Sequence, residues 1–183
     1  MKARVTLLGH PVHQVLVAIP IGLFVIAVLF DIITAFEPIP ALAIASYWNL
    51  VAGVAGALLA AVFGLIDWTK IPKQTRARRL GIYHALVNVT ATVAFAGAVA
   101  LRWNADSYFV TTAALLLELA GFVIVGVGGW MGGELVDRLG IGVHEHAHAD
   151  APSSLSSRSI TASATPRNEN WVPANGDRSG LLG

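Results

Sequence analysis

No cysteine occurs among the 183 residues, and only 13% of them are charged. The first absence excludes a disulfide framework, a thiolate metal site and an iron–sulfur ligand set. The second is far below the roughly 25% of charged residues in an ordinary soluble domain. The shortage is concentrated between residues 14 and 131. Hydrophobic residues make up 55% of the chain, and the mean hydropathy is +0.66. A serine–histidine–acid pattern, a phosphate-binding glycine loop and a basic nucleic-acid face are also missing. The chain therefore does not read as a hydrolase, a transferase or a nucleic-acid binder, and the reading leans away from an enzyme.

What is present is long apolar runs. A bilayer core of about 30 Å needs roughly 20 apolar residues of helix. Four stretches reach that length, at about 14–36, 44–66, 80–101 and 109–131. Short connections make consecutive helices antiparallel neighbours. The expected fold is thus an all-α membrane protein: a four-transmembrane-helix antiparallel bundle over residues 1–146, with a disordered tail over 147–183. The tail expectation rests on Ser, Ala, Thr, Pro and Asn richness, with Trp171 as its sole aromatic residue. A cleaved signal peptide is the alternative for the first run, but that run exceeds the about 7–15 apolar residues of a signal core. A retained anchor is the better reading.

Basic residues set the expected orientation. Lys2 and Arg4 precede the first run, and Lys70, Lys73, Arg76, Arg78 and Arg79 fill the middle loop. Arg138, Arg158, Arg167 and Arg178 follow the last run, whereas the other two loops hold only Arg102. By the positive-inside rule both termini are cytoplasmic. Trp48, Trp68, Trp103 and Trp130 lie near the ends of runs, as interfacial tryptophans do.

Several polar residues sit where lipid would penalise them. His10 and His13 flank Pro11, which suits the first position of a helix. His10 then reads as an N-cap-like residue, or as the neighbour of His13 on one helical face. His84 and Asn88 are four residues apart within the third run, and Thr92 continues their stripe. Asp67 ends the second run and Glu134 follows the fourth, at the same level as the histidines. Neutral imidazoles and carboxylates suit a divalent metal, giving His10, His13, Asp67, His84 and Glu134 as candidate ligands. Two imidazoles from facing helices, His13 and His84, suit a b-type haem. Hydrogen bonds that lock helices together explain the same residues, and both readings stay open.

Glu118 lies about 12 Å inside the fourth run, counting 1.5 Å per residue. An ionisable group at such depth is a functional candidate by default. It supports a small proton or ion conductor together with the Asn88–Thr92 stripe, or else a neutral acid bonded to another helix. Asp31, nearer the outer end of the first run, reads as an interface residue. Gly53, Ala57 and Ala61, and Gly128, Gly129, Gly132 and Gly133, form small-residue faces that close the bundle or pair with a second copy. The partners implied are the lipid bilayer, the chain itself or a redox partner.

Pro20 should bend the first span. It has no N–H for the Leu16 carbonyl, and its ring clashes with that carbonyl. The bend is expected to tip His10 and His13 toward the start of the third span, to let another helix or a cofactor approach at Gly22, and to offer the Leu16 carbonyl to His84 or Asn88.

Gly9-His10-Pro11-Val12-His13, Pro20-Ile21-Gly22, Gly64-Leu65-Ile66-Asp67, His84-Ala85-Leu86-Val87-Asn88 and the segment from Gly129 to Val136 occur in an order that resembles one family. It is the family of predicted bacterial membrane proteins catalogued as domain of unknown function 2231, and the resemblance covers roughly residues 8–143. It implies a small four-helix domain of the bacterial inner membrane, with no activity attached. Some relatives are joined to Rieske-type iron–sulfur domains, which implies electron transfer by analogy alone. This sequence has neither the cysteines nor that domain.

Overall fold

The bilayer-length runs become the four spans of a computed structural model, which describes residues 1–157 and 160. They cover Val12–Phe36, Pro40–Trp68, Arg76–Arg102 and Asp106–Arg138, and each is long and apolar enough to cross a membrane. The first consists of helix α1 (Val12–Leu16) and helix α2 (Ala18–Phe36). The others are built on α3 (Pro40–Trp68), α4 (Arg76–Arg102) and α5 (Thr112–Gly133), with a π-helical turn, Glu134–Arg138, after α5. The protein is an all-α membrane protein, an antiparallel four-span bundle.

Local chemistry explains the boundaries. Pro40 stands in the first turn of α3, where its missing N–H costs nothing. The Thr75 hydroxyl accepts from the Arg78 amide at 3.2 Å and caps α4, and Thr111 does the same for Ala114 of α5 at 3.2 Å. These caps carry α3 and α4 beyond the apolar runs themselves. At the α3–α4 turn, Arg78 donates to the carbonyls of Trp68 and Ile71 and lies over the Trp68 ring at 3.8 Å. A cation thus meets the exposed carbonyls at a helix C-terminus. Trp68 is tied to this turn, while Trp48, Trp103 and Trp130 point outward.

The N-terminal approach differs from the expectation. Leu8 and Gly9 adopt left-handed backbone, φ 51° and 86°, and fold a two-residue ladder of Thr6–Leu7 (β1) on His10–Pro11 (β2). Pro11 is the N-cap of α1 and Val12 its first residue. His10 is therefore in a strand and exposed, neither a cap nor on a helical face with His13.

Hairpins α2–α3 and α4–α5 pack side by side, and α2 meets α4 across the bundle. Phe24, Ala27, Val28, Leu50, Phe95, Ala98 and Ala114 form the core. Large apolar side chains elsewhere point outward, Val93 at 65% exposure and Val123 at 66% among them. Such a surface on every helix suits lipid rather than water.

Contacts divide the chain into two units, Met1–His144 and Glu145–Gly183. In the second, residues 147–157 form no helix or strand, and His148 Nε2 lies 3.1 Å from the Ile160 carbonyl. The rest of the expected tail, with Arg158, Arg167, Trp171 and Arg178, lies outside the described residues.

Candidate functional site

Pro20 interrupts the first span as its chemistry requires. Helices α1 and α2 meet at Val17, whose N–H donates to the His13 carbonyl at 3.1 Å and whose carbonyl accepts from Ile21 at 3.4 Å, so the bond that Pro20 removes is the one to Leu16. Pro20 itself is buried, with its ring 3.5 Å from where a Cβ on Gly56 would lie. Two details differ from expectation. Gly22 faces open space, with no helix against it. The donors expected at the Leu16 carbonyl bond elsewhere: His84 engages the carbonyl of Gly128, and Asn88 that of His84.

His13 and His84 approach each other across the bundle, with ring centroids 6.5 Å apart and planes at 89°. Each is half-buried and held in the same way. His13 Nδ1 lies 2.9 Å from the carbonyl of Ala60, and His84 Nδ1 lies 3.0 Å from that of Gly128. A carbonyl only accepts, so each Nδ1 carries the hydrogen and, in the neutral ring, Nε2 keeps its lone pair.

Glycine makes both contacts accessible. A helical carbonyl is shielded by the residue four positions on, and those residues are Gly64 and Gly132. A Cβ at Gly64 would lie 2.9 Å from His13 Cε1, and one at Gly132 would lie 3.3 Å from His84 Cε1. Asn88 donates to the His84 carbonyl at 2.8 Å, and its Nδ2 lies 3.4 Å from His84 Nε2. Thr92 donates to the Asn88 carbonyl at 2.8 Å. The Asn88–Thr92 stripe is thus bonded within α4, with the Asn88 amide against Gly128.

The carboxylates expected beside the histidines are engaged elsewhere. Asp67 Oδ1 accepts from the backbone amides of Arg4 at 2.6 Å and Val5 at 3.3 Å, rather than pairing with Lys70 or the arginines after it. Glu134 pairs with Arg76 at 2.6 Å. Among the described residues no three His, Cys, Asp or Glu side chains are grouped to hold a metal ion. The five-residue set His10, His13, Asp67, His84 and Glu134 is therefore not assembled, and only His13 and His84 come together.

A second polar centre sits at the opposite end of the bundle. Arg102, Asp31, Glu118 and Ser46 are all fully buried there. Arg102 grips Asp31 with two bonds, Nη1 to Oδ2 at 2.6 Å and Nη2 to Oδ1 at 3.1 Å. Nη1 also reaches Glu118 Oε1 at 3.1 Å, and Nη2 the Ala43 carbonyl at 3.1 Å. The Tyr108 carbonyl accepts from both Nε and Nη2. To present it, Ser107 and Tyr108 take left-handed backbone, φ 51° and 57°. Asp31 additionally accepts from the Ser46 hydroxyl.

Reading Asp31 as an interface residue and Arg102 as a loop cation is thus corrected: they form a buried ion pair. Arg102 stands one residue beyond its apolar run, so linear hydropathy hid it. The available signal was opposite charge at the same ends of two parallel spans.

Phe24 and Phe95 stack between the two polar centres. The three cross-bundle pairs, His13–His84, Phe24–Phe95 and Asp31–Arg102, are each 71 residues apart in sequence. Gly53, Ala60 and Gly64 of α3 have the same spacing as Gly121, Gly128 and Gly132 of α5. Gly53 faces Phe24 as Gly121 faces Phe95. The second hairpin repeats the contacts of the first.

Comparison with known proteins agrees with this arrangement. The family model described as predicted membrane protein (DUF2231) matches residues 9–145. The chain belongs to that family. The match takes in both polar centres and every helix from α1 to α5 among the described residues. No curated protein and no solved structure matches the chain.

Proposed function

We propose that this membrane protein is a haem-binding electron-transfer module, in which His13 and His84 would hold a b-type haem. The observation that carries it is the histidine pair, 6.5 Å between centroids with both Nδ1 atoms on backbone carbonyls. Two imidazoles ligating one metal in line, at about 2.0–2.1 Å per metal–nitrogen bond, have ring centres roughly 6 Å apart. Nδ1 bonded to a carbonyl is how a ligating histidine is commonly oriented.

The missing third ligand favours haem over a bare ion. Zinc in a structural site takes four ligands, whereas haem iron takes its four equatorial nitrogens from the porphyrin and asks the protein for axial ligands. A bound haem would supply one-electron chemistry. His13 and His84 would hold it, and Ala60 and Gly128 would set their tautomers. Gly64 and Gly132 leave room for the two imidazole rings against the adjoining helices.

The conductor reading draws on Glu118. It is weaker here, because stacked Phe24 and Phe95 fill the interior between Glu118 and the histidines. Self-association draws on Gly126, Gly129 and Gly133, which have nothing packed against them. The basic loop between α3 and α4 supports placing both termini in the cytoplasm, the site near that face, and the protein in a bacterial inner membrane. Its electron partner would then be a redox protein or a small membrane-soluble carrier. Residues 1–146 would form the membrane domain and 147–183 its appendage.

An absorbance spectrum of detergent-purified full-length protein, expressed with haem and iron supplied, tests the proposal. A Soret band that vanishes in H13A and in H84A is expected. A purified protein with no band and no stoichiometric iron would sink it.

A further inference from the structure

The Arg102 centre contains two acids for one base. Asp31, Glu118 and Arg102 are each fully buried, out of reach of bulk solvent. An arginine stays protonated in proteins. With both carboxyl groups ionised the centre would carry a net negative charge in a low-dielectric interior, at a cost of several kcal/mol or more.

The hydrogen bonds distinguish the two acids. Asp31 receives two bonds from the guanidinium and one from Ser46, which is the pattern of a fully satisfied carboxylate. Glu118 receives one guanidinium N–H on Oε1, and no donor among the described residues reaches Oε2. A buried, unpartnered carboxylate oxygen is costly, and an O–H at that position is not the same defect. The Glu118 and Asp31 carboxyl groups also converge on one nitrogen, with Oε1 of the first at 3.1 Å and Oδ2 of the second at 2.6 Å from Arg102 Nη1, so both negative charges would sit at one point.

We propose that Asp31 and Glu118 hold a single proton between them, making the Arg102 centre a buried proton-binding site. Every packed element contributes a group that faces it: Asp31 from α2, Tyr47 from α3, Arg102 from α4, Tyr108 from the turn before α5, and Glu118 from α5. Tyr47 stacks on Tyr108 at 4.1 Å, and its buried hydroxyl likewise has no partner among the described residues. Proton binding converts one carboxylate to a carboxylic acid, so that one anion faces one cation and the centre is neutral. The site stands apart from the histidine pair and does not depend on haem.

Infrared spectroscopy of the full-length protein in lipid at neutral pH provides the test. The C=O band of a protonated carboxyl group is expected in the unmodified protein, shifting on exchange into deuterium oxide. E118Q is expected to lose it. D31N is also expected to lose it, because Glu118 then becomes the one anion beside Arg102. Absence of the band from the unmodified protein, or its survival in either variant, overturns the proposal. The unmodified protein is read before any substitution, so a variant that fails to fold leaves the test standing.

Discussion

Phe24 and Phe95 lie face to face, their ring centroids 3.9 Å apart and their planes within 8°. Each ring presses on a glycine of the neighbouring helix, Phe24 on Gly53 and Phe95 on Gly121. The contact closes the centre of the bundle and separates the histidine pair from the Arg102 centre.

Truncating either ring should leave a void that the surrounding helices cannot fill. F24A and F95A are each expected to cost about 3–5 kcal/mol, the range for a buried phenylalanine. Because the rings share one contact, the double variant should cost less than the two singles added. Unfolding in mild detergent, followed by circular dichroism against denaturant, measures this. Additive losses would show that the rings act separately.

The histidines can be disturbed without touching them. G64A places a methyl group 2.9 Å from His13 Cε1 and 3.1 Å from Nδ1, so the ring must leave the Ala60 carbonyl. G132A is milder, with its methyl group 3.3 Å from His84 Cε1. G129A and G133A meet nothing. Haem bound per protein should therefore fall most in G64A, less in G132A, and not at all in the other two. Equal losses in all four would point to general helix effects instead.

Removing Arg102 should be far worse than removing its whole ion pair. R102M leaves Asp31 and Glu118 buried with no cation, and about 3–5 kcal/mol is the expected cost of one stranded partner. The triple variant D31N/R102M/E118Q removes every charge and should recover a large part of that loss. R102K should not rescue, since an ammonium cannot reproduce two bonds to Asp31 while holding the Tyr108 carbonyl. Thermal unfolding of the four proteins in one detergent ranks them.

Asp67 anchors the segment before α1 through the amides of Arg4 and Val5. D67A removes both hydrogen bonds to a charged acceptor and should cost roughly 1.5–3 kcal/mol. The loss should be local: amide exchange over residues 4–11 should accelerate, while exchange in α2 stays unchanged. Acceleration spread evenly over the bundle would contradict the anchoring role.

The spans were legible because length and apolarity suffice to define a helix in lipid. The break near Pro20 was legible because a missing N–H acts locally. The meeting of His13 and His84 joins two residues that their polarity in apolar spans had singled out. Other relationships depend on distant backbone. His10 looked like a cap until Leu8 and Gly9 turned it into a strand. Arg102 looked like a loop cation because its burial requires the turn at Ser107–Tyr108 to fold back over it. Asp67 was a candidate ligand beside the histidines, yet backbone amides more than sixty residues away reach it.

The repeated spacing of the hairpins has one exception in chemistry. Where the other pairs match histidine with histidine and phenylalanine with phenylalanine, the third matches Asp31 with Arg102. Two copies of the first hairpin, packed as these two are, would bring aspartate against aspartate. Two copies of the second would bring arginine against arginine, each already beside its own Glu118. Like charges facing each other in a dry interior cost several kcal/mol. The ion pair therefore acts as a polarity key: each half can recognise the other, and the first is repelled by itself.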